Sequence, residues 1–173
     1  MALFVLSLDP LLRAVASHPR IRGFPMPGQD TIVVSAYADD ISVFARNASS
    51  FREFLAIFDI YASLSGAQLN AAKSRAMRFG SFNDQLPLPI PFVDAVRVLG
   101  ITFEQRGVSQ RTWNEVVKRT TNALSSAAHF GLSMATKVTV VKTRAYAFAC
   151  YVARVAIVPR RTANRLSSLV GCF

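Results

Sequence analysis

Two short apolar runs separated by a brief polar break constrain the fold of this chain most strongly. Residues 31–36 and 41–45 are rich in β-branched and apolar side chains, as β-strands are. The four residues that join them are Tyr37-Ala38-Asp39-Asp40. The sequence therefore predicts a β-hairpin that carries neighbouring carboxylates at its tip.

Helical patterns flank this hairpin. Ser50 with Glu53 and Thr112 with Glu115 have the spacing of a capping box, and a glycine, Gly66, stands where the first of these helices should end. Together with apolar residues at steps of three and four, these signals predict helices over 2–17, 50–65, 112–131, 134–158 and 159–169. Short strands are predicted over 75–79 and 96–103, and a loop over 18–30. The β-branched start of the helix over 134–158 also fits a strand. The expected fold class is α+β.

Composition limits the class of protein. The chain of 173 residues is 51% hydrophobic and 17% charged, which excludes disorder over its whole length. Two cysteines, Cys150 and Cys172, cannot form a disulfide framework and favour a reducing compartment. No signal peptide or apolar run of bilayer length is recognisable. We therefore expect an intracellular protein, in the nucleus or the cytoplasm, that is neither secreted nor bound to a membrane.

The positive charge of the chain is concentrated in its last third. Residues 1–106 contain ten basic and nine acidic side chains, whereas residues 107–173 contain ten basic side chains and a single acid, Glu115. This difference predicts two regions, a nearly neutral one over 1–106 and a basic helical one over 107–173. A one-signed surface of this kind favours a polyanionic partner.

The basic residues of the second region lie beside helical apolar stripes, so they could bind nucleic acid or simply form a solvated helix face. Solvated faces usually mix both signs of charge, and this one does not, which favours nucleic acid. The candidate binding residues are Arg111, Lys118, Arg119, Lys137, Lys142, Arg144, Arg160, Arg161 and Arg165.

The adjacent carboxylates of Asp39 and Asp40 are the sharpest chemical feature. Neighbouring side chains on a strand point to opposite faces, but at a turn both can reach one cation. Two like charges so close together are stabilised by a divalent metal, and oxygen ligands suit Mg²⁺. A solvated turn is the alternative interpretation, because aspartate is common in turns.

Four motifs, in order, resemble the reverse transcriptases of LINE-type (non-long-terminal-repeat) retrotransposons. The residues that carry the resemblance are Leu3 to Leu12, Ala36-Tyr37-Ala38-Asp39-Asp40-Ile41, Ser65 to Ser74, and Val98-Leu99-Gly100-Ile101. The second is similar to the Tyr-Ala-Asp-Asp motif of the polymerase palm, and the third to a Gly-x-x-Leu-Asn-x-x-Lys-Ser motif. The resemblance implies a partial palm over 1–106, with antiparallel strands and packed helices, and an α-helical thumb-like bundle over 107–173.

The resemblance also implies roles for individual residues. Asp39 is expected to bind Mg²⁺ or Mn²⁺ directly, with Asp40 as a second ligand or an electrostatic supporter. Lys73 is expected near the triphosphate, as a charge partner or a proton donor to the leaving group. Tyr37 and Ala38 are expected to lie against the primer terminus. The implied reaction is two-metal nucleotidyl transfer.

Leu99 and Gly100 are expected to seat the primer strand. The implied partners are an RNA template, a DNA primer and deoxynucleoside triphosphates. The family's further metal-binding aspartate, its fingers and its Gln-Gly template motif have no counterpart in the sequence, so we expect that this chain alone does not polymerise.

Two alternatives to a LINE-type fragment remain open at this point. One is a non-catalytic nucleic-acid-binding remnant of a retroelement, and the other is a fragment of a group II intron-type reverse transcriptase. In either polymerase case, strands whose partners are missing would expose an edge of the palm, so self-association through that edge is expected.

Overall fold

The computed structural model describes residues 2–26, 31–80 and 83–173. The described residues form an α+β protein, as predicted, and they divide into two compact units, Met1–Val93 (unit 1) and Asp94–Phe173 (unit 2). The division lies before the change in charge at 106/107 from which the two regions were predicted. It does so because the strands just before residue 107 pack with the helix that follows them, through Ile101 and Trp113.

Unit 1 is built from helices packed with a hairpin. Its elements are α1 (Ala2–Ser17), β1 (Val34–Tyr37), β2 (Asp40–Val43) and α2 (Ala48–Ser65). The helix predicted over 2–17 and the hairpin are confirmed. The apolar side chains at helical spacing on α1 and α2 form the core with two loop residues: Leu8, Leu11, Val15, Ile21, Val33, Phe54 and Phe58 are buried. Ala36 and Ile41 of the hairpin pack against this core.

The capping box predicted at Ser50 and Glu53 is wrong. Asn47 caps α2, since its side-chain oxygen accepts a hydrogen bond from the Ser50 backbone N–H at 2.8 Å. Ser50 is buried, and its hydroxyl oxygen accepts a bond from the backbone N–H of Arg22 at 3.0 Å. The predicted end of the helix is confirmed: Gly66 adopts the left-handed conformation, at φ 72°.

The connections of unit 1 contain only isolated pairings among the described residues. The strand predicted over 75–79 is reduced to one parallel bridge between Ala76 and Phe92. Within the predicted loop over 18–30, of which 27–30 lie outside the described residues, Phe24 pairs with Ile32.

Unit 2 is a small antiparallel sheet followed by helices. Its elements are β3 (Ala95–Val98), β4 (Ile101–Glu104), β5 (Gly107–Val108), α3 (Gln110–Ala128), α4 (Met134–Val140), a π-helical segment (Val141–Ala145), α5 (Tyr146–Ala153) and α6 (Arg160–Gly171). The sheet order is β3-β4-β5. Its core comprises Ile101 from β4, Trp113 and Val116 from α3, Ala149 and Val152 from α5, and Leu166 from α6.

The single strand predicted over 96–103 is wrong, because the chain reverses inside it. Val98 pairs with Ile101 across a two-residue turn, in which Leu99 has φ 48° and Gly100 has φ 83°. Glycine adopts such angles without steric cost, so Gly100 makes the turn rather than weakening a strand.

Two helices of unit 2 also differ from prediction. Ser109, not Thr112, caps α3, and Thr112 is buried inside the helix, where its hydroxyl oxygen accepts a bond from the backbone N–H of Thr102 at 2.9 Å. The helix predicted over 134–158 is interrupted by the π-helical segment and ends at Ala153. The helix predicted to begin after Pro159 is confirmed as α6. Among the described residues, no helix is both long enough and apolar enough to cross a bilayer.

Candidate functional site

The register of the β1–β2 hairpin decides which side chains it presents to solvent. Ala36 pairs with Ile41, and both pack against the core of unit 1. Tyr37 pairs with Asp40, one position further along. Because side chains alternate along a strand, Tyr37 and Asp40 lie on the opposite face, and both are exposed. The hairpin therefore holds Tyr37 and Asp40 side by side, away from the core.

The turn itself is tighter than the four-residue connection predicted. Tyr37 and Asp40 belong to the strands, so Ala38 and Asp39 alone make the reversal. Ala38 has φ 53°, and among the described non-glycine residues only Leu99 shares a positive φ. This conformation brings Cβ too close to the backbone and costs about 1–2 kcal/mol. Backbone strain of this kind is concentrated at functional sites.

Replacing Ala38 with glycine should remove this strain. We expect Ala38→Gly to raise the free energy of unfolding by about 1 kcal/mol, because glycine tolerates positive φ. Chemical denaturation measures the change. Ala36→Gly, in the regular part of the same strand, is the matched control and should instead destabilise by about 0.5–1 kcal/mol. Equal effects of the two substitutions would contradict a strained turn at Ala38.

Asp39 and Asp40 are both exposed, and their Cα atoms are about 3.8 Å apart because the residues are consecutive. Among the described residues, neither carboxylate has a hydrogen-bond or ion-pair partner. Exposed, unpaired oxygen donors fit Mg²⁺ or Mn²⁺. The described part of the chain contains no group of three or more acidic, histidine or cysteine residues placed to hold a metal. The hairpin thus presents two adjacent, exposed carboxylates.

Lys73 lies in the segment that follows α2, also in unit 1. Asn70 organises this segment: its side-chain oxygen accepts a bond from the Lys73 backbone N–H at 3.0 Å, and its carbonyl accepts one from the Ser74 hydroxyl at 2.9 Å. Leu69 packs against the same core as Ala36. The Asn-x-x-Lys-Ser spacing therefore builds a fixed turn that leaves the Lys73 side chain exposed.

Leu99 and Gly100 lie in unit 2, at the β3–β4 turn. The hydroxyl of Tyr151, from α5, donates to the Leu99 carbonyl at 2.9 Å, and the Leu99 side chain is half-exposed. Tyr151 has no signal of this role in the sequence, since its partner lies 52 residues away.

Of the nine candidate basic residues, two have side-chain partners within unit 2. Arg119 donates to Glu115 at 2.5 Å and stacks over the Phe148 ring at 4.2 Å. The Lys137 ammonium donates to the Phe173 backbone oxygen at 2.5 Å. Both side chains therefore already have partners inside unit 2.

The Glu115 carboxylate is held between two arginines. A hydrogen bond from Arg119 and the charges of Arg119 and Arg97 keep the pKa of Glu115 below its usual value, against the opposing effect of partial burial. The only acid of the basic region is thus neutralised locally, on the side of α3 that carries Arg119.

The other seven candidates are exposed and have no hydrogen-bond or ion-pair partner among the described residues. They are Arg111, Lys118, Lys142, Arg144, Arg160, Arg161 and Arg165. Their positions on α3, the π-helical segment and α6 leave them available to an anionic partner.

Neither a protein-family model nor a curated protein sequence matches this chain.

Proposed function

We propose that this chain is part of an RNA-directed DNA polymerase of the LINE-type retrotransposon class. The observation that carries the proposal is the strained two-residue turn, which exposes two adjacent carboxylates without partners. At the position of positive φ the turn has an alanine rather than the unstrained glycine, and its two like charges are not compensated by a described partner. The order of the four sequence motifs supports the same assignment.

The residues of unit 1 have distinct tasks in this proposal. Asp39 holds a divalent metal, and Asp40 is a second ligand or supports the first. A bound Mg²⁺ supplies charge stabilisation at the reacting phosphate. Tyr37 offers an exposed aromatic ring next to Asp40, a surface on which the primer terminus can rest. Lys73 offers an exposed ammonium, fixed at its backbone by Asn70, for the triphosphate.

The proposed partners follow from these tasks. They are an RNA template, a DNA primer and a deoxynucleoside triphosphate, with Leu99 and Gly100 of unit 2 contacting the primer strand. We also propose an intracellular location. Self-association through an exposed edge of the palm stays a prediction.

A metal-binding experiment tests the role of the hairpin. We expect Mn²⁺ to broaden the amide resonances of residues 37–41 selectively, because relaxation by a bound paramagnetic ion is local. Asp39→Asn should weaken this binding at least about tenfold, since even the loss of a supporting partner costs that much at metal sites. Titration of the broadening against Mn²⁺ concentration gives the affinity.

Asp59→Asn is the matched control, because Asp59 is an exposed acid of α2 with no ion-pair partner among the described residues. It should leave the broadening of residues 37–41 unchanged. Adding a deoxynucleoside triphosphate should tighten metal binding, because Mg²⁺-type sites commonly combine one or two carboxylates with substrate phosphates. Broadening that is equal in Asp39→Asn and the native chain would overturn the proposal.

A non-catalytic nucleic-acid-binding remnant is the second candidate. It is favoured by one observation, that no third ligand accompanies Asp39 and Asp40 among the described residues. Nucleic-acid binding by unit 2 without metal binding at the hairpin would select this second candidate.

A further inference from the structure

A shallow, open groove of about 460 Å³ lies between α3 and α6 in unit 2. The two helices are held together by Trp113 and Val116 of α3 and by Leu166 of α6, all of them buried in the core of the unit. Thr162 of α6 lines the groove and is also buried. The groove is therefore a fixed feature of the fold, since the residues beneath it are core residues.

Several of the residues that line the groove are basic. Lys118 of α3 and Arg161 and Arg165 of α6 line the groove, and all three side chains are exposed. None of the described residues that line it is acidic. Within the described residues the three cations have no ion-pair or hydrogen-bond partner, in contrast to Arg119 and Lys137. The groove thus concentrates free positive charge.

Neutral hydrogen-bonding groups complete the groove. Gln110 and Asn114 stand eight and four residues before Lys118, so the three side chains form one row along α3. The Gln110 side chain donates to the Asn114 side-chain oxygen at 3.2 Å, which leaves the Asn114 amide N–H groups available as donors. Cations and amide donors together match the oxygens of a phosphate.

The spacing of the cations favours a chain of phosphates over a single one. Arg161 and Arg165 are four residues apart, which separates them by about 6 Å along the axis of α6. Lys118 faces them from α3 across the groove. A lipid surface is disfavoured, because a membrane-binding face needs large apolar side chains, and Val117 is the one apolar side chain among the described residues that line the groove.

We propose that the α3–α6 groove binds the sugar-phosphate backbone of a nucleic-acid strand, without reading its bases and without a metal ion. The proposal deepens the proposed function, on which it rests for the kind of partner, by selecting three of the candidate basic residues as one site. Lys118, Arg161 and Arg165 neutralise successive phosphates, and Asn114 donates a hydrogen bond to a phosphate oxygen.

The test measures binding of a fluorescently labelled, mixed-sequence DNA single strand to the full chain, by anisotropy in EDTA, over a range of salt concentrations. The variant Arg161→Gln/Arg165→Gln should bind about tenfold or more weakly at low salt. The slope of log affinity against log salt should fall by about 1.4, since each lost phosphate contact removes about 0.7. Lys118→Gln, on the other helix, should lower the slope by about 0.7.

The matched control is Arg106→Gln/Arg154→Gln, which removes the same charge from exposed positions of unit 2 outside the groove. This control should keep the native slope. An equal loss in the control and the groove variant would overturn the proposal, because binding would then follow net charge alone. Circular dichroism checks that each variant is folded, and Lys118→Gln tests the groove independently if the double variant is not.

Further measurements distinguish nucleic-acid binding by the groove from lipid binding and from metal binding at the hairpin. Vesicles of anionic phospholipid that bind the native chain but not the groove variant, with strand binding unchanged, would assign the groove to a membrane and overturn the proposal. Asp39→Asn should bind the strand like the native chain in EDTA, so failure of the hairpin proposal is distinguishable from failure of this one.

Discussion

Replacing Gly23 with alanine is expected to lower the free energy of unfolding by about 3 kcal/mol, the upper part of the range for overpacking. A Cβ atom at Gly23 would lie 1.9 Å from the backbone oxygen of Ile32 and 2.9 Å from the Cα atom of Val33. These are backbone atoms, so no side-chain rotation relieves the clash. Either the segment around Gly23 or the segment around Ile32 has to move.

Neither segment is free to move without loss. Phe24 and Ile32 exchange two backbone hydrogen bonds of 2.8 and 2.9 Å, and Ile21 and Val33 on either side are buried in the core of unit 1. A shift that accommodates the methyl group must break those bonds or open the core. Val33 also leads directly into β1, so the same shift would disturb the hairpin that carries Asp39.

Urea denaturation of Gly23→Ala against the native chain measures the effect. Gly131→Ala is the control: a Cβ atom there meets no other atom within 4 Å, and the residue is not among the glycines with positive φ. It should change the free energy of unfolding by less than about 0.5 kcal/mol. If Gly23→Ala were as mild as Gly131→Ala, the close backbone approach between residues 23 and 32 would be wrong.

The elements that the sequence predicts correctly are those specified by local rules. The helix over 2–17 follows from apolar periodicity, the end of α2 from Gly66, and the start of α6 from Pro159. The hairpin follows from β-branched runs on both sides of a short polar break. Each of these signals acts within a few residues, so the rest of the chain does not need to be known.

The predicted starts of α2 and α3 are wrong because distant partners decide them. Ser50 could have capped α2, but the backbone N–H of Arg22 binds its hydroxyl oxygen, and Asn47 caps the helix instead. In the same way, the backbone of Thr102 engages Thr112, and Ser109 caps α3. Nothing close in the sequence identifies these partners.

The hairpin at Leu99 and Gly100 was missed for a different reason. Val98 and Ile101 are cross-strand neighbours and share a face although they are three residues apart, so the turn shifts the alternation of side chains by one position. The shift falls inside a largely apolar run whose composition is that of a strand throughout, and the strand predicted over 96–103 does not register it. Gly100, which has a left-handed conformation in the turn, is the other available signal.

For the candidate site, too, local features could be predicted from the sequence and features that depend on distant contacts could not. Asp39 and Asp40 are identified by local chemistry, and both are exposed in the structure, Asp39 in the turn and Asp40 at the start of β2. The engagement of Arg119 was also open to prediction, because Glu115 stands four residues before it on the same helix. The contact between Lys137 and Phe173 could not be predicted in this way. Nor could the α3–α6 groove, because it depends on the packing of Leu166 with Trp113.

Because the packing of unit 2 depends on Trp113, truncating this side chain should have the second large effect on stability. Trp113→Ala is expected to lower the free energy of unfolding by about 4 kcal/mol, because it empties the largest side chain from the core of unit 2. Trp113 is 3% exposed and belongs to the same cluster as Ile101 of β4, Val152 of α5 and Leu166 of α6. Few neighbours can close the cavity without moving a strand or a helix, so little of the loss is recovered.

The measurement is urea denaturation followed by circular dichroism, since the chain has one tryptophan and the variant therefore has no tryptophan fluorescence. Phe130→Ala, an aromatic truncation at a side chain that is 67% exposed, is the control and should cost less than about 0.5 kcal/mol. Because Trp113 and Leu166 hold α3 against α6, strand binding by the groove should be lost along the same urea transition as the helical signal. Binding that survives after the helical signal of Trp113→Ala has gone would mean that the cations act without the packed pair of helices, and the groove would then not be the binding site.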